Sequence, residues 1–283
     1  MKLKRVGAGL VTIMLLASMT ACGSNDGNKA ESGSTSGNAA TTISISGSTS
    51  VGPLVEKLAE DYKGKNGNAK VEVNQIGSSA GITNAINGVS EFGMSSRDLK
   101  EEEKKQNLTE TIIAHDGIAV ITHKNNKVKD LTMDQVKDIF TGKIKNWREV
   151  GGNDMEIVVV SREDGSGSRD AFQEIVGYES GDLIRESIIA SGNGNIKTTV
   201  AGNKHAIGFV SFEYLDDSIQ DVKINGVSAT QENVLNGTYS LSRPFIMVHK
   251  EAAVTEAGKN FLEYILSDEG QKIVSGAGAI PVR

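Results

Sequence analysis

Three short segments combine glycine with serine or threonine where a predicted strand is followed by a predicted helix. They are residues 46–50 (SGSTS), 77–79 (GSS) and 165–168 (GSGS). The first turn of a helix has backbone N–H groups without intrahelical partners, and it carries the positive end of the helix dipole. Glycine lets a ligand approach that backbone, and the hydroxyls add further donors. Each segment can therefore bind an anion without much net charge.

Serine and threonine are also common N-cap residues, so one such segment alone is more often a cap than a binding site. Three segments, each with at least two hydroxyls, favour a shared anion instead. Arg162 lies just before the third segment, and its guanidinium can donate two parallel hydrogen bonds to an oxyanion. Asp164 could pair with Arg162 and orient it, or it could form an exposed surface pair.

The N-terminus has the features of a lipoprotein signal peptide. Basic residues at positions 2, 4 and 5 precede a mostly apolar run, 10–19, that is too short to span a bilayer. Small residues follow, and then Cys22, the single cysteine of the chain. We therefore predict that residues 1–21 are a signal peptide and that Cys22 becomes an acylated N-terminus. An ordinary signal peptide with a buried cysteine behind it is the alternative.

A flexible tether is predicted to follow the signal peptide. Residues 22–42 consist mainly of Gly, Ser, Asn, Thr and Ala, and such a segment cannot bury enough apolar surface to fold. The remaining residues 43–283 suffice for one large domain or two smaller ones. A single cysteine and four scattered histidines argue against a disulfide framework or a metal site, and no cofactor is expected.

The net charge restricts the partners that the chain can have. Residues 1–21 contain three basic and no acidic residues, so their removal leaves 27 basic and 36 acidic residues, a formal charge of −9. A surface this negative argues against nucleic acid or an anionic lipid surface as the partner. It does not exclude an anionic ligand, because charges beyond about 8 Å are screened while a desolvated pocket of amides and one arginine acts locally.

In the rest of the chain, segments with the apolar spacing of strands alternate with segments that have the apolar spacing of helices. Thr132 and Gln135 fit a capping box at the start of one predicted helix, and Pro53 suits the first position of another. The alternation predicts an α/β architecture with parallel sheets. Two lobes, if present, would be joined by short crossovers near 123–127 and 242–244. The predicted strands are 42–46, 70–76, 112–122, 156–161, 207–212 and 245–249, and the predicted helices include 81–87, 132–140 and 256–274.

Several motifs together resemble one known family. The motifs are 47–53 (GSTSVGP), 77–79 (GSS), 93–98 (GMSSRD) and 161–168 (SREDGSGS), with IFTG, NW and GG within 131–152. Each motif is common by itself, but in this order over residues 43–283 the set resembles the phosphate-binding receptors of bacterial phosphate ABC transporters.

The resemblance implies a two-lobed periplasmic-binding-protein type II fold, in which each lobe is a mostly parallel sheet flanked by helices and phosphate binds in the cleft between them. Residues 43–123 and 246–283 would form lobe 1, and residues 124–245 would form lobe 2. It further implies a monomeric receptor on the extracytoplasmic face of the cell membrane, held by the lipid on Cys22. Such a receptor delivers phosphate to ABC transporter permease subunits and is not an enzyme.

Transferred residue by residue, the resemblance also implies a ligand set. Arg162 would be the charged clamp, held by Asp164. Some members of the family place an aspartate where Ser96 stands, and it accepts a hydrogen bond from protonated phosphate. The acceptor here is therefore expected at Asp116 or, as second choice, at Asp98, although Asp116 can equally be interpreted as a turn residue. The implied ligands are Thr49, Ser50, Ser78, Ser96, Asp116, Arg162, Ser166, Gly167 and Ser168, and the supporting residues are Arg97, Asp98 and Asp164.

The acceptor decides which anion the site prefers. Phosphate near neutral pH carries a proton and sulfate does not, so a carboxylate in a dry site accepts from phosphate and repels sulfate. A receptor for another tetrahedral oxyanion (sulfate, molybdate or tungstate) is therefore the main alternative. A more distant alternative is a serine hydrolase, since residues 77–81 (GSSAG) match a nucleophile motif at Ser79, with His205 or His249 available later in the chain.

Overall fold

The computed structural model describes residues 41–67 and 69–282. Strands and helices alternate along most of this range, as the apolar periodicity predicts. Among these residues no helix is long and apolar enough to cross a lipid bilayer. The predicted signal peptide, Cys22 and nearly all of the tether lie outside the described residues. The strands are β1 (Thr41–Gly47), β2 (Ala69–Gln75), β3 (Phe92–Ser95), β4 (Thr109–His123), β5 (Asp130–Leu131), β6 (Val158–Arg162), β7 (Ile188–Ala190), β8 (Ala206–Ser211), β9 (Ile219–Asp221), β10 (Lys223–Ile224) and β11 (Ser242–His249).

Helices connect many of these strands, and several begin with a side-chain cap. Thr132 Oγ1 accepts a hydrogen bond from Gln135 N, and Gln135 Oε1 accepts from Thr132 N, so the predicted capping box is present. The helix predicted over 256–274 is two helices, because Ser267 ends the first and caps the second. The helices are α1 (Gly52–Lys65), α2 (Ser78–Asn87), α3 (Glu101–Lys104), α4 (Met133–Phe140), α5 (Gly167–Val176), α6 (Gly192–Gly202), α7 (Gln231–Leu235), α8 (Glu256–Leu266) and α9 (Asp268–Gly276).

The strands form a mixed sheet in the order β2-β1-β3-β11-β4-β8-β6-β7, with β9 beside β4, while β10 and β5 pair separately. At one end β1 is parallel to β2 and β3, and at the other end β6 is parallel to β7 and β8. In the centre, β4 and β11 are antiparallel to each other and to their outer neighbours β8 and β3. The α/β class is confirmed. Mostly parallel pairing holds at both ends of the sheet but not in its centre.

The two largest hydrophobic cores correspond to the two lobes, and a smaller one packs α2 against β11. The core of lobe 1 packs β1, β3 and α1 against α8, and Leu54, Phe92 and Phe261 are fully buried in it. The core of lobe 2 packs α4, α5, β6 and β8 together, and Phe172 stacks on Phe209 with ring centroids 4.1 Å apart. These cores fix the strand ends at which the three turn segments begin.

The chain passes between the lobes in β4 and β11. Ala114 packs in the core of lobe 1 and Ile118 in that of lobe 2, so β4 crosses near Asp116, which pairs in register with Arg243 of β11. This crossing comes before the position predicted at 123, because β4 is one continuous strand of 15 residues that serves both lobes. We therefore propose that lobe 1 comprises residues 41–115 and 244–282 and lobe 2 comprises residues 117–242.

Candidate anion-binding site

The first turn segment, between β1 and α1, folds around a serine hydroxyl. Ser48 Oγ accepts hydrogen bonds from Ser50 N (3.1 Å) and Val51 N (3.3 Å), and it donates one to Ser96 Oγ (2.9 Å). Val51 occupies the N-cap position of α1, and its apolar side chain cannot accept a hydrogen bond. Ser48 accepts from the backbone there instead. Because Ser48 takes this role, the hydroxyls of Thr49 and Ser50 remain available for contacts with lobe 2.

The second segment and the turn after β3 bring two more serines together. Gly77 adopts a φ of 93° before α2, a conformation that favours glycine, and Ser78 is the first residue of the helix. Ser78 Oγ accepts a hydrogen bond from Ser96 N (3.2 Å) and lies 3.4 Å from Ser96 Oγ. Both serines are fully buried. Ser48, Ser78 and Ser96 therefore form a continuous group of hydroxyls at the carboxyl ends of the parallel strands of lobe 1.

The third segment comes from lobe 2 and packs against these hydroxyls. Ser166 caps α5, whose first residues are Gly167 and Ser168. Ser168 Oγ lies 2.8 Å from Ser50 Oγ of lobe 1. A Cβ atom at Gly167 would lie only 2.3 Å from Ser78 Oγ, so the start of α5 approaches lobe 1 as closely as glycine allows. The first-turn amides of α5 are thus placed beside the hydroxyls of lobe 1.

Arg162 lies at the end of β6 between these turns, and only 1% of it is exposed. Its Nε and Nη2 atoms each donate a 2.8 Å hydrogen bond to the carboxylate of Glu163, and Nη2 also donates to Thr49 Oγ1 of lobe 1 (2.9 Å). Nη1 has no hydrogen-bond partner among the described residues. A buried charged donor without an acceptor is unfavourable, so this nitrogen is suited to an anionic acceptor.

Further hydrogen bonds join the two lobes around Arg162. Asn193 Nδ2 of α6 donates to Ser50 Oγ (2.8 Å), which also contacts Ser168 Oγ. Ser79 N at the start of α2 donates to Gly165 O in the third segment (3.2 Å). The polar groups of the site are therefore enclosed between the lobes, where low dielectric strengthens their interaction with a charge.

Asp164 does not have the role predicted for it. Its carboxylate is 94% exposed and pairs with Arg169 of α5, whereas Glu163 pairs with Arg162. The prediction that Asp164 holds Arg162 was therefore wrong, because the chain turns after β6 and carries Asp164 towards the first turn of α5. Burial would raise the pKa of the Glu163 carboxyl, but the hydrogen bonds and charge of Arg162 outweigh burial and lower it. Glu163 is thus the ionised partner of the clamp.

Asp116 is buried where β4 crosses between the lobes, and its carboxylate is paired with Arg243 and Ser211. Oδ2 accepts hydrogen bonds from Arg243 Nη2 (2.9 Å) and Nε (3.2 Å), and Oδ1 accepts one from Ser211 Oγ (2.9 Å). All three donors lie at the crossing of the lobes and none of them in the three turn segments. Asp116 is therefore the buried counter-ion of Arg243, and we do not retain it as the acceptor for the anion.

Asp98, the second choice for the acceptor, lies outside the site. Its side chain is exposed, and it lines a cleft of about 560 Å³ between α3 and α5. Arg97 beside it forms ion pairs with Asp170 and Glu103, and its one side-chain contact with the turn segments is to Ser79, which is not among the predicted ligands. The structure brings together every predicted ligand except Asp116. Their contact with an anion stays a prediction.

The hydrolase alternative requires a base beside Ser79. Ser79 Oγ instead accepts a hydrogen bond from Arg97 Nη2 (3.2 Å). His205 Nδ1 lies 3.1 Å from a backbone carbonyl of lobe 2, and His249 Nε2 lies 3.3 Å from a nearby glutamate. The described residues therefore do not assemble a catalytic triad. They also contain no group of three acidic, histidine or cysteine side chains placed to hold a metal ion.

Sequence reasoning missed four residues that shape the site. Ser48 lies within the first segment, where any of four hydroxyls could have been the cap. Glu163 is adjacent to Arg162 but was passed over in favour of Asp164. Asn193 and Arg243 have no local signal, because their partners Ser50 and Asp116 lie 143 and 127 residues away in the chain. Contacts of that range follow from the fold and not from a motif.

Known proteins share this architecture. A family model for the PBP superfamily domain matches residues 32–269. The phosphate-binding protein PstS of Bacillus subtilis is 34% identical over 287 residues, which cover 96% of this chain and 94% of that protein. The phosphate-binding protein PstS of Staphylococcus epidermidis strain RP62A is 34% identical over 273 residues, covering 89% of this chain and 81% of that protein.

Solved structures extend the comparison to three dimensions. A candidate phosphate ABC transporter substrate-binding protein from Clostridium perfringens, with bound phosphate, is 61% identical and has a TM-score of 0.85, covering 86% of this chain and all of that one. An ABC-type phosphate transport receptor from Vibrio cholerae is 35% identical with a TM-score of 0.74, covering 85% of this chain and all of that one. The chain therefore belongs to the periplasmic-binding-protein superfamily and, within it, to the phosphate-binding proteins of phosphate ABC transporters.

Proposed function

We propose that this protein is a receptor that binds inorganic phosphate outside the cytoplasm. The observation that carries the proposal is the buried guanidinium of Arg162. Its Nη1 is unpaired among the described residues, and its Nη2 donates to the Thr49 hydroxyl of lobe 1. A tetrahedral oxyanion has four oxygens, enough to accept from Arg162, from the hydroxyls and from the amides at the start of α5. The proposed ligands are Thr49, Ser50, Ser78, Ser96, Arg162, Ser166, Gly167 and Ser168.

The phosphate bound in the C. perfringens relative supports phosphate as the ligand, as does the similarity to the phosphate-binding proteins of B. subtilis and S. epidermidis. One observation keeps another tetrahedral oxyanion as a second candidate. Asp116 is paired with Arg243 and Ser211, and Asp98 is exposed outside the site, so in the described residues the proton of phosphate would be accepted by a hydroxyl such as Ser96. A hydroxyl both donates and accepts, so it does not repel sulfate as a carboxylate would.

Isothermal titration of the purified protein with phosphate, sulfate, molybdate and tungstate at neutral pH tests this function. We expect phosphate to bind more tightly than each of the other three. Tighter binding of sulfate or molybdate would assign the site to that anion, and binding of none of them would contradict an oxyanion receptor altogether.

We further propose that the receptor is a monomer, anchored through acylated Cys22 to the extracytoplasmic face of the cell membrane. The small residues before Cys22 and the tether-like composition of 22–42 support this anchor. Radiolabelled palmitate should be incorporated into the wild-type chain, and the Cys22→Ser variant should lose both the label and its recovery with membranes. Equal recovery of the variant with membranes would contradict the anchor.

Delivery of phosphate to permease subunits is the last part of the proposal, and the family supports it. In cells that lack their own receptor, the chain should restore phosphate uptake only when the matching permease is present. Uptake that is independent of the permease would contradict delivery. The receptor itself is not proposed to catalyse any reaction.

A further inference from the structure

A second contact between the lobes lies outside the anion site and involves Arg97. Arg97 follows β3 in lobe 1, and its Nε atom donates a 2.9 Å hydrogen bond to Asp170 Oδ2 on α5 of lobe 2. Lys100 Nζ approaches the same oxygen at 3.2 Å. The Asp170 carboxylate therefore contacts two cationic side chains of the opposite lobe.

Lobe 1 holds Arg97 in a fixed orientation. Both terminal nitrogens donate to Glu103, Nη1 to Oε2 at 2.7 Å and Nη2 to Oε1 at 2.9 Å. Nη1 also donates to the backbone oxygen of Asp98 (2.8 Å), and Nη2 to Ser79 Oγ (3.2 Å). Glu103 is in turn fixed by the backbone amide of Lys100 (2.8 Å). With Nη1 and Nη2 engaged inside lobe 1, Nε is the nitrogen of Arg97 directed to lobe 2.

Burial makes this ion pair stronger than a surface one. Only 4% of the Arg97 side chain and 23% of the Asp170 side chain are exposed, against 65% and 69% in the surface pair of Arg148 and Asp154. Surface pairs contribute little because water screens them, whereas a partly buried pair is screened less. Movement of α5 away from lobe 1 would break the pair and return both groups to water.

The pair is also coupled to the anion site through the backbone. Arg97 directly follows Ser96, and Asp170 lies two residues after Ser168 in the first turn of α5. Each partner is thus attached to a proposed ligand of its own lobe. An opening that removes Ser168 from lobe 1 must also separate Asp170 from Arg97.

We propose that Arg97 and Asp170 form a latch between the lobes that slows the release of the bound anion. This inference rests on the proposed function. Arg97 and Asp170 are positioning residues, because neither side chain contacts a hydroxyl group among the proposed ligands. Association starts from separated lobes, before the latch forms, whereas release must break it first. The latch therefore acts on the dissociation rate and hardly on the association rate.

The test compares release of radiolabelled phosphate, chased with excess unlabelled phosphate, from the wild-type protein and from Asp170→Asn. We expect the variant to release phosphate about tenfold faster and to associate at a rate within about twofold of wild type, the latter calculated from the release rate and the affinity. Asp170→Glu keeps the charge and should restore most of the slow release.

The matched control is Asp134→Asn, which removes an exposed acid from the first turn of α4 within lobe 2. Asp134→Asn loses the same favourable interaction with the helix dipole that Asp170→Asn loses. It should nevertheless leave the release rate unchanged. Unchanged release from Asp170→Asn, with lower stability of the unliganded protein, would assign the pair a purely structural role and overturn the latch. A wild-type protein that binds no phosphate would instead contradict the proposed function.

Discussion

The guanidinium of Arg162 has three roles that no other cation can fill together. It is held by Glu163 through two hydrogen bonds, it reaches Thr49 across the cleft, and it keeps Nη1 for a further acceptor. Lysine carries the same charge but concentrates it in one compact ammonium group and cannot make this planar set of contacts. Geometry as well as charge is therefore required at this position.

We accordingly expect Arg162→Lys to weaken phosphate binding by at least about 100-fold, which corresponds to about 2.7 kcal/mol. Isothermal titration measures the affinity, and Arg148→Lys, at an exposed pair in lobe 2, is the control that should bind as wild type. Binding by Arg162→Lys within about threefold of wild type would mean that a point charge suffices.

The pair of Asp116 and Arg243 is a structural element of the crossing and not a ligand. Both side chains are 1% exposed. We expect Asp116→Asn to lower the free energy of unfolding by about 3 kcal/mol, because it leaves the buried Arg243 without its counter-charge. The preference for phosphate over sulfate should not change. Urea unfolding and isothermal titration measure the two quantities, with the exposed Asp98→Asn as control; a changed preference with unchanged stability would return Asp116 to the ligand set.

Some of these residues can be predicted from the sequence and others cannot, and the reason is physical. The hydroxyl-rich turns and Arg162 were found because a helix start that binds an anion needs particular residue types at adjacent positions. The partner of Arg162 was misplaced by one residue, from Glu163 to Asp164, because both carboxylates are close enough in sequence. Only the direction in which the chain turns after β6 distinguishes them.

At the scale of elements, most strand and helix positions followed from apolar periodicity and caps, and the capping box of α4 was found where predicted. Two boundaries did not follow. β4 begins at Thr109, three residues before the predicted strand 112–122, because its first residues pair with the end of β11. The terminal helix is divided at Ser267, whose hydroxyl caps α9 and bonds back to Tyr264 O.

The short helical turn after β8 contains a carboxyl with an unusual environment. Glu213 is largely buried, and its Oε1 has no hydrogen-bond partner among the described residues. Burial, followed by the negative charge of Asp116, raises the pKa of Glu213 to about 8, while Lys57 and Arg243 oppose the rise and Glu56 adds to it. Glu213 is therefore mostly protonated at neutral pH in the folded protein.

This shift predicts a stability that falls with rising pH. The unfolded carboxyl ionises near 4.5 and the folded one near 8, so between these values the folded state binds more protons than the unfolded state. The contribution of Glu213 is complete below pH 4.5 and is lost as the pH rises to about 8. We expect the free energy of unfolding of wild type to fall relative to Glu213→Gln by up to about 1.4 kcal/mol per pH unit.

Urea unfolding of both proteins at pH 5.5, 6.5 and 7.5 measures this difference, and the comparison at each pH cancels the titration of all other groups. Parallel stability curves for the two proteins would show that Glu213 ionises normally and that the turn after β8 is more open to water than its burial indicates.

At the scale of the whole molecule, the two lobes are connected by β4 and β11 and meet again at the site. The α/β class and the two-lobed fold could be recognised from the sequence. The alternation of strand and helix spacing of apolar residues, and the order of the motifs, can both be read from a single sequence. The antiparallel centre of the sheet could not, since it depends on β11 returning from lobe 2 to pair with β4 and β3. Such pairing has no local sequence signal.

The closeness of the lobes leads to a prediction about Gly167. A Cβ atom there would lie 2.3 Å from Ser78 Oγ and 2.9 Å from Ser96 Oγ, both in the opposite lobe. Gly167 is the first residue of α5, and alanine has a higher helix propensity than glycine. Gly167→Ala should therefore leave each lobe folded but prevent them from meeting. We expect the affinity for phosphate to fall by at least about 100-fold, with the free energy of unfolding of the unliganded protein changed by less than about 0.5 kcal/mol.

Small-angle scattering adds a direct measure of closure to the affinity and the stability. The radius of gyration of wild type should decrease when phosphate is added, whereas that of Gly167→Ala should stay at its unliganded value. Gly194→Ala is the matched control, because Gly194 also lies in the first turn of a helix of lobe 2 and an added Cβ there has no atom within 4 Å. If Gly167→Ala closes and binds as the control does, the contact of α5 with the hydroxyls of lobe 1 is not what limits the approach of the lobes, and the anion must be held farther from the start of α5.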